Sequence, residues 1–227
     1  MGDDIRDQRR TSHREPIRMA PSRQIPLKFP ERDLSFEDME ITAANRAVCA
    51  AIRQPDRWPY HACTLIGPTG SGITTLAKAW SKDRGARFMT ARELSEINLG
   101  DVERLTETDI AVDNVDQLTD GEALLLLLSG IKRHETHILL AAHSAPEQWR
   151  VQSPDLRSRV RAAPLVALPA PDEDLMRARL KRAFLRSYLE VPKTVEDYLV
   201  TRLGLDYSLI EKTAEILAGA SGDRPLT

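Results

Sequence analysis

The sequence predicts an α/β protein in which a parallel-sheet core precedes a small, all-helical lid. An apolar strand, a glycine-rich loop and the start of a helix follow one another at residues 63–77, an order typical of phosphate-binding loops. Two more apolar strands, at residues 109–113 and 138–142, end in polar residues, as strands beside a ligand site do. A proline-containing linker at residues 168–172 then leads into three amphipathic segments.

The composition indicates a globular protein with one good-sized core. Of its 227 residues 41% are apolar, and the net charge of −2 gives no global reason to expect nucleic-acid binding. No apolar run approaches the length of a membrane span, so we expect a cytoplasmic protein with no membrane partner. Cys49 and Cys63 are expected to be buried, reduced thiols, and the scattered histidines predict no metal cluster.

The N-terminal residues are expected to lie outside the core. Residues 1–22 mix charged and polar side chains with almost no apolar periodicity, which predicts a disordered tail. Residues 23–30 contain an extended peptide in which a proline forbids helix and two apolar side chains are spaced as anchors. The peptide consists of Gln24, Ile25, Pro26, Leu27, Lys28 and Phe29. From the residues alone, a docking peptide and a segment that covers the edge of the core both stay open.

The other elements follow in chain order. Apolar periodicity predicts a helix over residues 41–54, which Pro55 ends, and residues 31–168 form the core. Apolar periodicity also predicts three later helices, at residues 175–188, 194–202 and 207–217. They form a predicted lid over residues 169–221, and residues 222–227 are predicted to be a C-terminal tail. We therefore expect no further domain that reads double-stranded DNA.

The glycine-rich loop is the candidate nucleotide site. Its glycines can adopt backbone angles that point consecutive amides at a phosphate, and the Thr74 hydroxyl is placed to bind Mg²⁺. Ile73 stands where such loops carry the lysine that reaches the terminal phosphates, so we expect weak binding or none, and no efficient hydrolysis. The candidate nucleotide-binding residues of the loop are Gly67, Pro68, Thr69, Gly70, Ser71, Gly72, Ile73, Thr74 and Thr75.

The strand that ends at Asp113 adds a carboxylate to this site. In an open parallel sheet the carboxyl ends of the strands face the ligand, so Asp113 is predicted to help Thr74 hold Mg²⁺. Asn114 stands where a second acid would polarise water, and an amide cannot accept that proton. A simple helix-capping role for Asp113 and Asp116 stays open.

Two segments further along the chain carry other candidate residues. Ser144 follows the strand at residues 138–142, where a polar side chain can sense a phosphate. Arg157, Arg159 and Arg161 alternate along one segment, and a guanidinium at a subunit edge can reach a neighbour's nucleotide. The alternative for these arginines is an ordinary solvated helix face.

The order of these motifs along the chain resembles that of the AAA+ family. The resemblance is to the branch that contains the bacterial replication initiator DnaA and its inactivator Hda. The likeness spans residues 24–219 and rests on GPTGSGITT at 67–75, DIAVDN at 109–114, ILLAAHSAPEQW at 138–149 and PDLRSRV at 154–160. It implies an AAA+ P-loop core with a helical lid. It also implies that Ser144 lies in the sensor 1 region, that Arg159 is an arginine finger acting in trans, and that Tyr207 replaces the sensor 2 arginine of the lid.

The resemblance further implies partners and a function. Residues Gln24 to Phe29 are similar to the peptide with which such proteins bind the sliding clamp, the β subunit of DNA polymerase III. We therefore expect a negative regulator of replication initiation that docks on the clamp and stimulates ATP hydrolysis by DnaA through Arg159. ADP or ATP with Mg²⁺ is expected to bind loosely or not at all. The residues alone leave open whether a homodimer forms and whether the effect on initiation is inhibitory.

Two other functions remain as alternatives. A nucleotide-independent adaptor would bind the clamp or DnaA and compete with an active inactivator. A helper that resembles helicase loaders would act on single-stranded DNA and would need a basic groove, for which the charge balance gives little support.

Overall fold

The computed structural model describes residues 34–151 and 153–221, and these belong to one structural unit. The predicted tails at residues 1–22 and 222–227 lie outside the described residues. The predicted clamp-binding peptide, residues Gln24 to Phe29, lies outside them as well.

A five-stranded parallel sheet forms the centre of the fold. Its strands are β1 (Ala62–Ile66), β2 (Arg87–Thr90), β3 (Ile110–Asp113), β4 (Ile138–Ala142) and β5 (Leu165–Ala167). Their order across the sheet is β2-β3-β4-β1-β5, and every pairing is parallel. The carboxyl ends of β3, β4 and β1 therefore lie side by side at one edge of the sheet. The predicted α/β class is confirmed.

Helices cover both faces of this sheet. They are α1 (Arg46–Ile52), α2 (Ile73–Arg84), α3 (Ala91–Glu96), α4 (Val102–Leu105), α5 (Glu122–His134) and α6 (Pro154–Ala162). All five residues of β4 are buried, as the uninterrupted apolar sequence of a central parallel strand requires. One buried cluster includes Ile52 and Trp80, and a second includes Leu124 and Leu127 of α5. No helix within the described ranges is long and apolar enough to cross a membrane.

Three helices form the predicted lid after the sheet. They are α7 (Glu173–Arg186), α8 (Lys193–Leu203) and α9 (Ser208–Ser221). Leu180 and Phe184 of α7 and Ile210 of α9 belong to the same buried cluster as Trp80 of α2. The lid and the core therefore share apolar packing, which places the start of α9 against the glycine-rich loop. The predicted helical C-terminal region is confirmed.

The first helix is shorter than its apolar periodicity predicts. α1 begins at Arg46, so the prediction of a helix from residue 41 is wrong. The side-chain oxygen of Asn45 accepts a hydrogen bond from the Thr42 amide at 2.9 Å, and its nitrogen donates to the Glu40 carbonyl at 2.8 Å. An asparagine that bonds nearby backbone competes with helix formation, and here it holds these residues in a turn.

Both cysteines are buried free thiols, as predicted. Burial raises the pKa of the Cys63 thiol to about 12, and burial also raises the pKa of Cys49. Because the thiolate is the nucleophile, we expect neither thiol of the native protein to react with an aromatic disulfide reagent within minutes at about pH 8. Both should react at once in guanidinium chloride. Immediate reaction of a thiol in the native protein would contradict this packing.

Candidate functional site

The glycine-rich loop joins β1 to α2 at the edge where the strands end. Gly72 precedes the first helical residue with φ at 90°, and Gly70 has φ at 80°. Glycine adopts this left-handed region without the steric cost that a side chain brings. A loop of this kind at the N-terminus of a helix presents amide groups that favour an anion.

The other predicted loop residues have different surroundings. The Ser71 amide donates to the Pro68 carbonyl at 3.0 Å, which closes a turn, while the Ser71 hydroxyl is buried without a partner. Thr69 is exposed. Thr75 lines a cavity between the loop and the lid. One side of the loop is therefore exposed to solvent, and the other side faces the lid.

Thr74 and Asp113 meet although they lie 39 residues apart in the sequence. The Thr74 hydroxyl donates to Oδ2 of Asp113 at 2.8 Å, and Oδ1 of the same carboxylate is buried without a partner. A hydroxyl beside a carboxylate oxygen that lacks a partner fits Mg²⁺, which prefers oxygen ligands and takes only one or two of them from a protein. No group of three or more metal-ligating side chains occurs in the described residues, so phosphate oxygens and water would complete the coordination.

Asn114 also contacts this carboxylate. Its side-chain nitrogen donates to Oδ2 of Asp113 at 3.1 Å, and its backbone is left-handed with φ at 57°. The amide therefore orients the carboxylate and supplies no base at this position. Asn114, and not Asp113, occupies the cap position of the short 3-10 turn that follows.

Ile73 takes no part in the polar surface of the loop. Its side chain is 1% exposed and belongs to the buried cluster under the loop. A Cβ atom on Gly67 would lie 2.9 Å from Cγ2 of Ile73, so the two residues pack closely. A side chain in this position offers a phosphate neither charge nor a hydrogen bond.

The residue after β4 that contacts the loop is His143, which the sequence reasoning passed over. Its Nδ1 lies 3.0 Å from the Gly67 carbonyl oxygen, and since a carbonyl only accepts, Nδ1 carries the proton. The predicted residue, Ser144, instead donates through its hydroxyl to Asp116 at 3.4 Å. Its carbonyl accepts from Nε1 of Trp149 at 2.9 Å. No local signal in the sequence distinguishes these two neighbours.

Tyr207 brings the lid onto the loop. A Cβ atom on Gly70 would lie 3.1 Å from the Tyr207 carbonyl oxygen, so only a glycine fits there without a shift. The side chain of Tyr207 is buried, and its hydroxyl has no hydrogen-bond partner among the described residues. Burial raises the pKa of this phenol. Tyr207 is therefore a packing residue at the loop.

Arg179 is a residue of this site that the sequence reasoning missed. From α7 its guanidinium donates to the carbonyl oxygens of Ser71, at 2.6 Å, and Gly70, at 3.1 Å. It also stacks on the ring of Tyr207, 5.2 Å from the centroid. Burial lowers the pKa of Arg179, which remains a cation at neutral pH.

The three arginines of α6 differ in their contacts. Arg159 is exposed, and its Nη1 donates to the Ser129 hydroxyl on α5 at 3.0 Å. Arg161 forms an ion pair with Glu147 at 3.5 Å. The Ser129 hydroxyl is neutral, so it does not compensate the charge of Arg159. The carboxylate of Glu147 does compensate the charge of Arg161.

Comparison with solved structures identifies the fold, whereas comparison by sequence finds no relative. No protein-family model matches the chain, and no curated protein matches it. Solved structures do match: a DNA replication initiation factor has 20% identity and a TM-score of 0.67, over 83% of this chain and 64% of its own. The chain thus spans 64% of the length of that relative.

Two further matches are DnaA proteins. Domain III of DnaA from Thermotoga maritima has a TM-score of 0.68 with 13% identity, over 85% of this chain and 91% of its own. AMPPCP-bound DnaA from Aquifex aeolicus has a TM-score of 0.65 with 19% identity, over 83% of this chain and 66% of its own. The chain therefore has the DnaA-like AAA+ fold, a parallel α/β core followed by a helical lid.

Proposed function

We propose that this chain regulates the initiation of DNA replication by acting on a DnaA-type ATPase. It docks on the sliding clamp through residues Gln24 to Phe29 and presents Arg159 to ATP held by DnaA. The observation that carries this proposal is the exposed guanidinium of Arg159, bound to a neutral hydroxyl, in a protein with the DnaA-like fold. An arginine that acts in trans needs a complete ATP site only in its partner.

The chain's own site is proposed to bind a nucleotide without hydrolysing it. Thr74 and Asp113 keep the oxygen ligands for Mg²⁺, while Ile73 and Asn114 supply neither the usual cation nor a base. AMPPCP binds to DnaA of the same fold, which supports ADP or ATP as the ligand class. The nucleotide would then be bound weakly and would have a structural role.

The test is hydrolysis of ATP bound to DnaA, followed with the full chain and with clamp loaded on DNA. We expect a faster rate only when the chain and the clamp are both present. Gln24→Ala should abolish the stimulation even with clamp present, whereas Arg18→Ala, which lies outside the peptide, should keep it. An unchanged rate with every component present would contradict a role in stimulating hydrolysis.

A nucleotide-independent adaptor is the second candidate, and the burial of Ile73 favours it. The side chain that replaces the usual lysine has become part of the apolar core. Under this alternative the chain binds DnaA or the clamp equally well with and without nucleotide and competes with an active inactivator. Binding to DnaA without any change in hydrolysis would support the adaptor.

A further inference from the structure

Arg179 places a positive charge against the loop from the lid. Its two hydrogen bonds reach the carbonyls of Ser71 and Gly70, 108 and 109 residues away in the sequence. Nη1 also lies 2.8 Å from the position that a Cβ atom on Gly72 would occupy. The guanidinium therefore touches the loop where α2 begins, next to the amides that favour an anion.

This guanidinium makes its hydrogen bonds to neutral groups. They end on the carbonyls of Ser71 and Gly70, and the cation also stacks on the ring of Tyr207. Within residues 34–151 and 153–221 no ion pair involves Arg179, and the neighbouring Glu211 pairs with Arg186. Glu211 attracts the guanidinium electrostatically but is shared with Arg186, so the charge of this partly buried cation is compensated only in part and a bound anion would stabilise it.

The cavity beside Arg179 is positively charged. Three arginines of α7 line it at helical spacing, against the carboxylates of Glu40 and Glu211. These arginines are Arg179, Arg182 and Arg186. The cavity measures about 90 Å³, and Ser71 and Gly72 of the loop line it together with these arginines.

We propose that Arg179 is the phosphate-binding cation of this site and supplies the charge that Ile73 cannot. The ligand is the polyphosphate of a nucleoside diphosphate or triphosphate. A guanidinium fork matches two phosphate oxygens, and a change of side-chain rotamer exchanges the loop carbonyls for them. Because Arg179 belongs to α7, the phosphate then ties the lid to the loop. The inference rests on the proposed nucleotide site and is independent of Arg159 and the clamp.

The experiment is calorimetric titration of the full chain with ADP, ATP and AMP in the presence of Mg²⁺. Arg179→Ala and Arg179→Gln are each expected to weaken ADP and ATP binding by about 10- to 100-fold, the loss of one charge-assisted contact. Arg179→Lys, which keeps the charge without the fork, should lie between these variants and the wild type. AMP binding should change least, so the preference for ADP over AMP should shrink.

Arg177→Ala is the matched control for these variants. Arg177 lies on the same helix and pairs with Asp197 of α8, away from the loop. We expect this variant to bind ADP like the wild type. Arg179→Gln retains hydrogen-bond donors for the loop carbonyls, so a loss of affinity in a Gln variant that melts like the wild type reports the charge and not the fold.

Two results would overturn the proposal. One is ADP binding by Arg179→Ala as tight as that of the wild type or tighter, which would make the guanidinium a structural contact that occupies the site. The other is an absence of ADP binding by the wild type. In that case stimulation of DnaA through Arg159 would still be judged separately by the hydrolysis assay.

Discussion

If this chain stimulates ATP hydrolysis by DnaA as proposed, replacing Arg159 by alanine is expected to remove most of that stimulation. An arginine finger accelerates phosphoryl transfer by about 1,000-fold or more, because its charge stabilises the transition state. Arg159 lies exposed on α6, and among the described residues its hydrogen bond goes to a neutral group, the Ser129 hydroxyl, so little has to be broken for it to reach a partner. The measurement is the rate of ATP loss from preloaded DnaA with clamp on DNA.

Arg161 provides the control on the same helix. Its ion pair with Glu147 compensates its charge, and we expect Arg161→Ala to stimulate hydrolysis as the wild type does. Arg159→Ala should still bind the clamp and DnaA, because its effect lies in the transition state. Loss of stimulation in Arg157→Ala or Arg161→Ala alone would reassign the finger, and no loss in any of the three variants would refute the trans mechanism.

Replacing Phe184 by alanine is expected to lower the free energy of unfolding by about 3–5 kcal/mol. Phe184 is 2% exposed and belongs to the cluster that joins α7 of the lid to Trp80 of α2. The substitution removes apolar contacts and leaves a cavity that the surrounding helices fill only in part. For a chain of this length each 1 kcal/mol lowers the Tm by about 2–4 °C, so a fall of roughly 6–20 °C should appear in calorimetry.

The next residue on the helix gives the matched control. Leu185 is 65% exposed, and Leu185→Ala should change the free energy of unfolding by less than about 0.5 kcal/mol. If Phe184→Ala moved only a small, separate transition, the lid would unfold independently. The shared cluster between lid and sheet would then contribute little to the stability of the core.

Local patterns were enough to predict the sheet, the loop and the lid. β4 is apolar without interruption because both of its faces are covered, and α7 carries apolar residues at helical spacing because one side packs. The contact of Thr74 with Asp113 was also predictable, although it is remote in sequence, since the carboxyl ends of parallel strands meet at one edge. α1 was predicted too long because side-chain hydrogen bonds of Asn45 leave no trace in the periodicity.

Residues that are neighbours along the chain were therefore enough to predict the fold class, the glycine-rich loop and the apolar Ile73 at the start of its helix. The contacts of His143 with the carbonyl of Gly67 and of Arg179 with the loop join residues far apart in the sequence, so they follow only from the packing of the elements. An arginine on an amphipathic helix has the same local pattern whether it faces water or a ligand site. The packing of α7 and α9 on the core determines which of the two applies. It brings the guanidinium of Arg179 within hydrogen-bond distance of the Ser71 carbonyl, 108 residues away in the sequence.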